Sequence, residues 1–331
     1  MNLTTPIKVA VIGAGATSQK VHLPALHKLR NEGLVSLQVI SGQSHSITKD
    51  AQKRFGFSDS EDDVEVLFTR DDVDAVYIFG SAQRHYKYAK RALLNKKHVF
   101  VEKPPSIDSL HALEIIQLAK EKNRTVMVGF NRRFQASLLR AKKEITHNSN
   151  IYSIEATFDK PALLRPPPYG AKTWLSANGI HAIDVLQFFV GTLPKALYST
   201  YNITIGDIPQ NFSALIIWDT IHATLSANNS AGRQNEEYVI HGTGISYSVK
   251  SRVLEQCKND ICTKISLPES RGFQEEHRHF ISFLSGKEEL RSSMLDGAVA
   301  LRLTELIEAG HTGLIDWSDF TVKETISTKK F

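Results

Sequence analysis

The sequence predicts an α/β chain. A doubly wound parallel sheet is followed by an α+β domain with a large open, mainly antiparallel sheet. Short apolar runs alternate with helical patterns over residues 7–130, as in successive βαβ units. The first of those runs ends in a glycine pair at the head of a helical pattern. Beyond about residue 150 the chain turns to short alternating segments typical of antiparallel strands. The predicted division is residues 1–130 and 131–331, with the last helix, about 293–309, available to pack back on the first domain.

Residues 7–12 are a short apolar run ending in glycine, a buried strand. A helix is expected over 16–32, with Val21, Ala25 and Leu29 on one stripe, and a second strand over 34–41. Residues 46–55 are helical, and Gly56 suits the left-handed stop after them. A third strand, 74–79, precedes a helix over about 83–95. A fourth, 98–101, precedes a helix over 107–122, which Ser106 caps and which sets Leu110, Leu113, Gln117 and Leu118 on one face. Residues 125–130 close this half as a strand.

In the second half, strands are expected at 151–159, 196–205, 210–218, 220–227, 236–250 and 261–266. Phe212, Ala214, Ile216 and Trp218 alternate onto one face. A helix over about 179–190 interrupts these strands, and Pro166-Pro167-Pro168 marks an irregular loop. The helix over 293–309 aligns Leu295, Val299, Leu303 and Ile307.

Composition narrows the function classes. The 331 residues are 41% hydrophobic and 23% charged, enough to bury a core without staples. The formal net charge is +5, but the basic pairs (Lys96-Lys97, Arg132-Arg133, Lys142-Lys143) are scattered, which argues against a nucleic-acid face. No apolar stretch reaches membrane-spanning length. The first six residues lack the charged and apolar regions of a signal peptide, so a cytoplasmic location is expected. The two cysteines, Cys257 and Cys262, make no disulfide scaffold. Their spacing lacks the second pair a zinc site demands, and no metal site is expected.

Gly13-Ala14-Gly15-Ala16-Thr17-Ser18 follows a strand and opens a helix, the context a pyrophosphate turn requires. Gly13 permits the turn and Gly15 lets backbone approach phosphate. The helix N-terminus then faces the negative charge. Ser18 stands where a third glycine is usual and is small enough for close helix–sheet packing. The end of the second strand should carry an acid for the ribose hydroxyls. Here it reads Ile40-Ser41-Gly42-Gln43-Ser44-His45, with no acid to repel a 2′-phosphate and no arginine clamp. That favours NADP slightly and leaves NAD open. The expected cofactor crevice also takes in Gly80, Ser81, His85, Glu102, Lys103 and Asn131.

Lys103 follows directly on the strand of Val99-Phe100-Val101-Glu102 and precedes two prolines that fix the local backbone. The carboxyl ends of parallel strands line the ligand crevice. A lysine beside an oxidised nicotinamide would have a lowered pKa, suited to exchanging a proton with a hydroxyl. His181 lies near the start of the 179–190 helix, and Asp184, three residues on, shares its face and can fix the imidazole tautomer. A surface lysine and a structural histidine are the plain alternatives.

These motifs resemble those of the Gfo/Idh/MocA family of two-domain sugar and polyol oxidoreductases. The likeness runs through Val11-Ile12-Gly13-Ala14-Gly15 and His22-Leu23-Pro24-Ala25-Leu26 to Glu102-Lys103-Pro104. It continues in Asn131-Arg132-Arg133-Phe134, Gly179-Ile180-His181-Ala182-Ile183-Asp184, His241-Gly242-Thr243-Gly244 and Gly272-Phe273-Gln274-Glu275-Glu276. The resemblance implies a Rossmann domain, a second domain on an open sheet, and hydride transfer with NAD or NADP. It implies Lys103 as acid/base and His181 as substrate-orienting partner. The sequence departs from the family at Ala177, where an aspartate is often found four residues before the histidine. Asn178 beside it can hydrogen-bond substrate without charge. Tyr169 and Trp174 are candidates for contact with a sugar ring, and Arg165 for an acidic group.

Three readings stay open. The first is an NAD(P)-dependent dehydrogenase or reductase of a sugar, polyol or related small molecule. The second, suggested by Ala177, is a nucleotide-binding regulator or sensor without dehydrogenase activity. The third retains the nicotinamide and uses transient oxidation for elimination or glycoside cleavage. The broad C-terminal sheet is expected to cover an apolar face by forming a homodimer or homotetramer.

Overall fold

The computed structural model describes residues 5–163, 165–203 and 205–320. They divide into two compact units: Met1–Gln135 with Tyr169–Ala171 and Ser270–Ala298, and the rest.

The first unit holds a six-stranded parallel sheet in the order β3-β2-β1-β4-β5-β6. Its elements are β1 (Ile7–Ile12), α1 (Leu23–Asn31), β2 (Val35–Ser41), α2 (His45–Phe55), β3 (Asp59–Glu61), α3 (Val64–Thr69), β4 (Ala75–Ile78), α4 (Ala82–Leu94), β5 (His98–Glu102), α5 (Ser109–Lys122) and β6 (Val126–Gly129). The inner strands read as continuous apolar runs because both faces are covered; every residue of β4 and β6 is buried. The order turns back at β1, so the crevice expected outside the strand ends lies beside the β1 and β4 termini.

Local chemistry explains most boundaries. Gly56 takes the left-handed stop after α2 at φ 78°. Asp108, not Ser106, caps α5 and accepts from the His111 amide at 3.0 Å. Ser106 instead donates to the Asp108 carbonyl at 2.7 Å. The predicted inner face of α5 is also corrected. Ala112, Ile115 and Ala119 are buried, while Leu110 is 59% exposed. Small side chains let the helix approach the sheet closely, and the leucines flank that seam. The helix predicted over 16–32 contains a π turn, Ser18–His22, before α1. The short polar pair β3 and α3 had no apolar signal to betray it.

The second unit builds α6 (Ala136–Asn148), β7 (Ile151–Asp159), α7 (Ile180–Val190), β8 (Ala196–Asn202), β9 (Asn211–Ile217), β10 (His222–Asn228), β11 (Asn235–Gly242), β12 (Ile245–Lys250), β13 (Val253–Lys258) and β14 (Ile261–Ile265). After them come α8 (Phe273–Leu284), which belongs to the first unit, α9 (Met294–Glu308) and β15 (Thr312–Leu314). The first five residues of α9 lie in the first unit and the remainder in the second.

The nine-stranded sheet runs β14-β13-β12-β11-β7-β10-β9-β8-β15, antiparallel except for the parallel pair β7–β10. Helices α6 and α7 cover one face. Onto that face β7 directs Ile154, Ala156 and Phe158, and β9 directs Phe212, Ala214 and Ile216, the alternation predicted. The single strand predicted at 236–250 is two strands, β11 and β12, turned at Gly244 (φ 71°). Strand β13 was not predicted. Its turns, Ser251-Arg252 and Asn259-Asp260, are two-residue left-handed pairs, the geometry of a type I′ hairpin. Ser-Arg carries no turn signature. A disulfide joins Cys257 to Cys262 across β13 and β14, where the two are register partners. Among the described residues no helix is long and apolar enough to cross a membrane.

Candidate active site

The carboxyl ends of β1, β2 and β4 surround a cleft of about 460 Å³. It brings together six predicted residues: Gly13, Gly15, Ser41, Gly42, Gln43 and Gly80. Gly13 is required twice over. Its φ is +112°, and a Cβ there would stand 1.9 Å from the Phe79 carbonyl oxygen. Its amide donates to the Ser41 carbonyl at 2.8 Å, closing β1 against β2. At Gly15 a Cβ would meet nothing within 4 Å, so open space begins at this glycine. Ala16 and Thr17 are exposed at the start of the helix beyond it, with amides not yet committed to a full turn. Ser18 is 3% exposed, packed as a third glycine would be. A tight turn, open space at the second glycine and a helix N-terminus together fit a dinucleotide pyrophosphate.

Ser81, His85, Glu102, Lys103 and Asn131, also predicted for the crevice, are not among the residues that line the cleft. Ser81 caps α4, accepting from the Arg84 amide at 3.4 Å. His85 is wholly buried with both ring nitrogens engaged. Its Nδ1 lies 2.7 Å from the Pro104 carbonyl, and its Nε2 accepts from the Gly80 amide at 3.0 Å. The Nδ1–H tautomer follows, and burial pushes its pKa down to about 4. His85 therefore ties the β4 turn to the loop after β5. Asn131 donates to the Arg271 carbonyl at 2.7 Å and anchors the segment leading into α8.

The sequence did not single out Asp62, Arg84 and Tyr88, which also line the cleft. Asp62 meets His45 Nδ1 at 2.8 Å. Asp62 follows β3, an element too short to read, and brings a carboxylate to the cleft. Arg84 sits in the first turn of α4.

Lys103 follows directly on β5 and is 8% exposed. Its amide donates to Glu102 Oε2 at 3.1 Å, and Glu102 Oε1 lies 3.2 Å from His22 Nε2. Burial opposes ionisation of Glu102. The charges of His22 and Lys103 outweigh burial and hold the carboxyl below its usual range. A Cβ at Gly129 would stand 2.7 Å from Glu102 Oε1, so the neighbouring strand must be bare there.

In the second unit His181 lies in the first turn of α7, 7% exposed, and Asp184 is fully buried one turn on. A π turn, Leu175–Gly179, precedes them, an irregularity common at functional sites. Thr173 braces it: its hydroxyl donates to Glu308 Oε1, and the Ser176 amide donates to that hydroxyl at 3.0 Å. Ala177 is fully buried, and no carboxylate stands at its position. Asn178 Oδ1 accepts from Lys160 Nζ at 2.6 Å. Lys160 was not predicted and carries no motif. Trp174 is 3% exposed and packs against Phe158 and Phe212, so its ring belongs to the core. Arg165 is exposed on its loop, and the Tyr169 side chain lies outside the described residues.

A family model described as an oxidoreductase family with an NAD-binding Rossmann fold matches residues 7–130. Those residues are a Rossmann domain of the Gfo/Idh/MocA oxidoreductase family. The glucose-6-phosphate 3-dehydrogenase of Bacillus subtilis is 25% identical over 283 residues, 81% of this chain and 71% of that protein. A 3-ketoreductase from Actinomadura kijaniata, solved with NADP and TDP-benzene, superposes with a TM-score of 0.78 at 23% identity, covering 92% of this chain and 98% of that one. A levoglucosan dehydrogenase solved with NADH and levoglucosan gives 0.81 at 20% identity, covering 92% and 97%. At these identities the two structures establish the fold. The matched residues are of an oxidoreductase family with an NAD-binding Rossmann fold, and the relatives are named as a dehydrogenase and a reductase.

Proposed function

We propose that the chain is an NAD(P)-dependent dehydrogenase or reductase acting on a CH–OH carbon of a sugar, polyol or related small molecule. The observation that carries this reading is Lys103: a buried lysine directly after β5, in a unit whose glycine turn fits a dinucleotide. Gly13, Gly15 and the helix start at Ala16 would hold the pyrophosphate. Ser41, Gly42 and Gln43 would meet the adenosine ribose. When bound, the nicotinamide supplies the hydride acceptor or donor.

The chain's own residues supply the proton chemistry. Lys103 takes the hydroxyl proton on oxidation and returns it on reduction, as a general base and acid. Glu102 fixes the Lys103 amide, and so the point from which the side chain departs. His181, held by the braced turn before α7, orients substrate or relays the proton. Asn178, held by Lys160, offers a neutral hydrogen bond beside it.

NADP(H) is the proposed preference, supported by Arg84 on the cleft wall and opposed by the Asp62 carboxylate on the same wall. Calorimetric titration of nucleotide-stripped protein with NADH and then NADPH tests it; tighter NADPH binding is expected. Lys103→Ala is expected to keep cofactor binding and lower turnover on an identified polyol or sugar by about 100-fold or more. Full turnover in that variant would remove the mechanism. The fully buried Ala177 favours the regulator reading; binding of cofactor with no hydride exchange across a polyol and sugar screen would establish that reading instead.

A further inference from the structure

Behind Glu102, the first unit buries a second set of polar side chains that the proton chemistry above does not use. His22 comes from the π turn before α1, Glu276 and His277 from α8, and Tyr77 from β4. His22 is 1% exposed and the other three are 0% exposed. His22 Nδ1 faces His277 Nε2 at 3.0 Å. Among the described residues, both oxygens of Glu276, Nδ1 of His277 and the Tyr77 hydroxyl find no hydrogen-bond partner. The walls are aromatic. Phe79 stacks on His22 at 4.3 Å, and Phe100 lies 4.8 Å from His277.

Buried polar groups in native proteins are nearly always partnered. Here a carboxyl group with two open oxygens sits beside two imidazoles whose nitrogens point at each other. A chain of neutral groups leaves those oxygens unmet; a cation meets all three side chains at once. One donor atom each from His22, Glu276 and His277 lies within 4.8 Å of the other two. Bonds of about 2.1 Å around a tetrahedral ion set neighbouring ligand atoms roughly 3.4 Å apart. The 3.0 Å histidine pair already stands near that spacing.

We propose that His22, His277 and Glu276 bind one divalent transition-metal ion of the zinc type. Two imidazole nitrogens and a carboxylate oxygen are a donor set that Zn²⁺ accepts. The remaining His22 nitrogen, Nε2, points at Glu102 Oε1. Histidines that ligate metals commonly send their second N–H to a carboxylate, which fixes the tautomer and ring orientation. The role is structural. The ion ties the turn after β1 to α8, two segments about 250 residues apart in sequence. It also steadies Glu102, against which the Lys103 amide is set.

The test uses the tag-free full chain, expressed with added zinc and assayed for metal by mass spectrometry. One zinc per chain is expected. Removal by a strong chelator should lower the melting temperature, and Zn²⁺ alone should restore it. Glu276→Gln, nearly isosteric, should lose the zinc and its thermal effect, while His45→Ala at the exposed pair should keep both. Co²⁺ in place of zinc should give the visible absorption of a low-coordinate site. Wild-type protein without stoichiometric zinc, and without a melting shift on adding it, would overturn the proposal and leave a proton shared between the imidazoles. One zinc retained by folded Glu276→Gln would place the ion elsewhere and overturn it equally. If that variant does not fold, the wild-type stoichiometry and the cobalt spectrum decide.

Discussion

At the scale of single residues, the two glycines of the first turn separate folding from binding. Gly13 has a left-handed backbone and a carbonyl oxygen where its Cβ would be, whereas Gly15 has neither constraint. Gly13→Ala is therefore expected to destabilise the first unit by about 2 kcal/mol or more, read as a lower melting temperature. Gly15→Ala is expected to leave stability within about 0.5 kcal/mol and to weaken dinucleotide binding by about tenfold or more in a titration. A stability loss at Gly15 equal to that at Gly13 would mean both glycines serve only the turn. The turn at Gly13 was legible in the sequence, because a glycine between strand and helix has few other uses. Asp62, Arg84 and Lys160 were not. Each reaches its place through the register of neighbouring strands and the start of a helix, and no spacing along the chain encodes that. His85 was legible as a member of the region but not as its brace. Its role rests on two backbone groups, at Gly80 and Pro104, that only the folded chain brings to the ring.

At the scale of elements, apolar period told strand from helix well and told which side faces inward less well. In α5 the larger leucines define the obvious stripe, yet the alanine seam is the buried one, because closeness of approach outweighs side-chain size there. The β11–β14 hairpins were blurred because one of their turns contains neither glycine nor proline nor asparagine. The brace before α7 carries its own pH dependence. Burial pushes the Glu308 carboxyl up to about 7 from an ordinary value of 4.5, with the Thr173 hydroxyl only partly opposing it. The folded state then holds the proton more tightly than the unfolded chain. The cost of ionising the group in place is absent below the ordinary value, grows as pH rises toward 7, and is complete above it. The linkage relation makes that cost about 3 kcal/mol. Glu308→Gln, which still accepts from Thr173, is expected to raise the melting temperature at pH 8 and to leave it unchanged near pH 4.5. An equal effect at both values would mean the carboxyl titrates normally.

At the scale of the whole molecule, the second sheet raises the question of what meets its open face. The expectation of a homo-oligomer rested on that face being apolar, and the side chains that emerge there are mostly not. Glu155, Ser213, Thr224 and Ser226 are exposed on the side opposite α6 and α7. Tyr198, in register with Leu215 on that face, is 47% exposed; at the edges Ile261 is 71% exposed on the outermost strand β14, Val253 50% on β13, and Leu314 81% on β15 at the opposite edge. Exposed strand edges invite pairing unless they are covered or charged. A hydroxyl-rich sheet face can also associate, through hydrogen bonds and trapped water rather than by burying oil. The proposed homodimer or homotetramer then predicts a polar interface. Light scattering on the eluting protein should give a mass of two or four chains, and the assembly should persist in moderate salt, since little charge is involved. Glu155→Arg together with Thr224→Arg, set on the adjacent paired strands β7 and β10, should bring the mass down to one chain without lowering the melting point of either unit. A double variant that keeps the full mass would move the interface to an edge. A wild-type chain that elutes as a monomer at working concentration would remove the oligomer altogether.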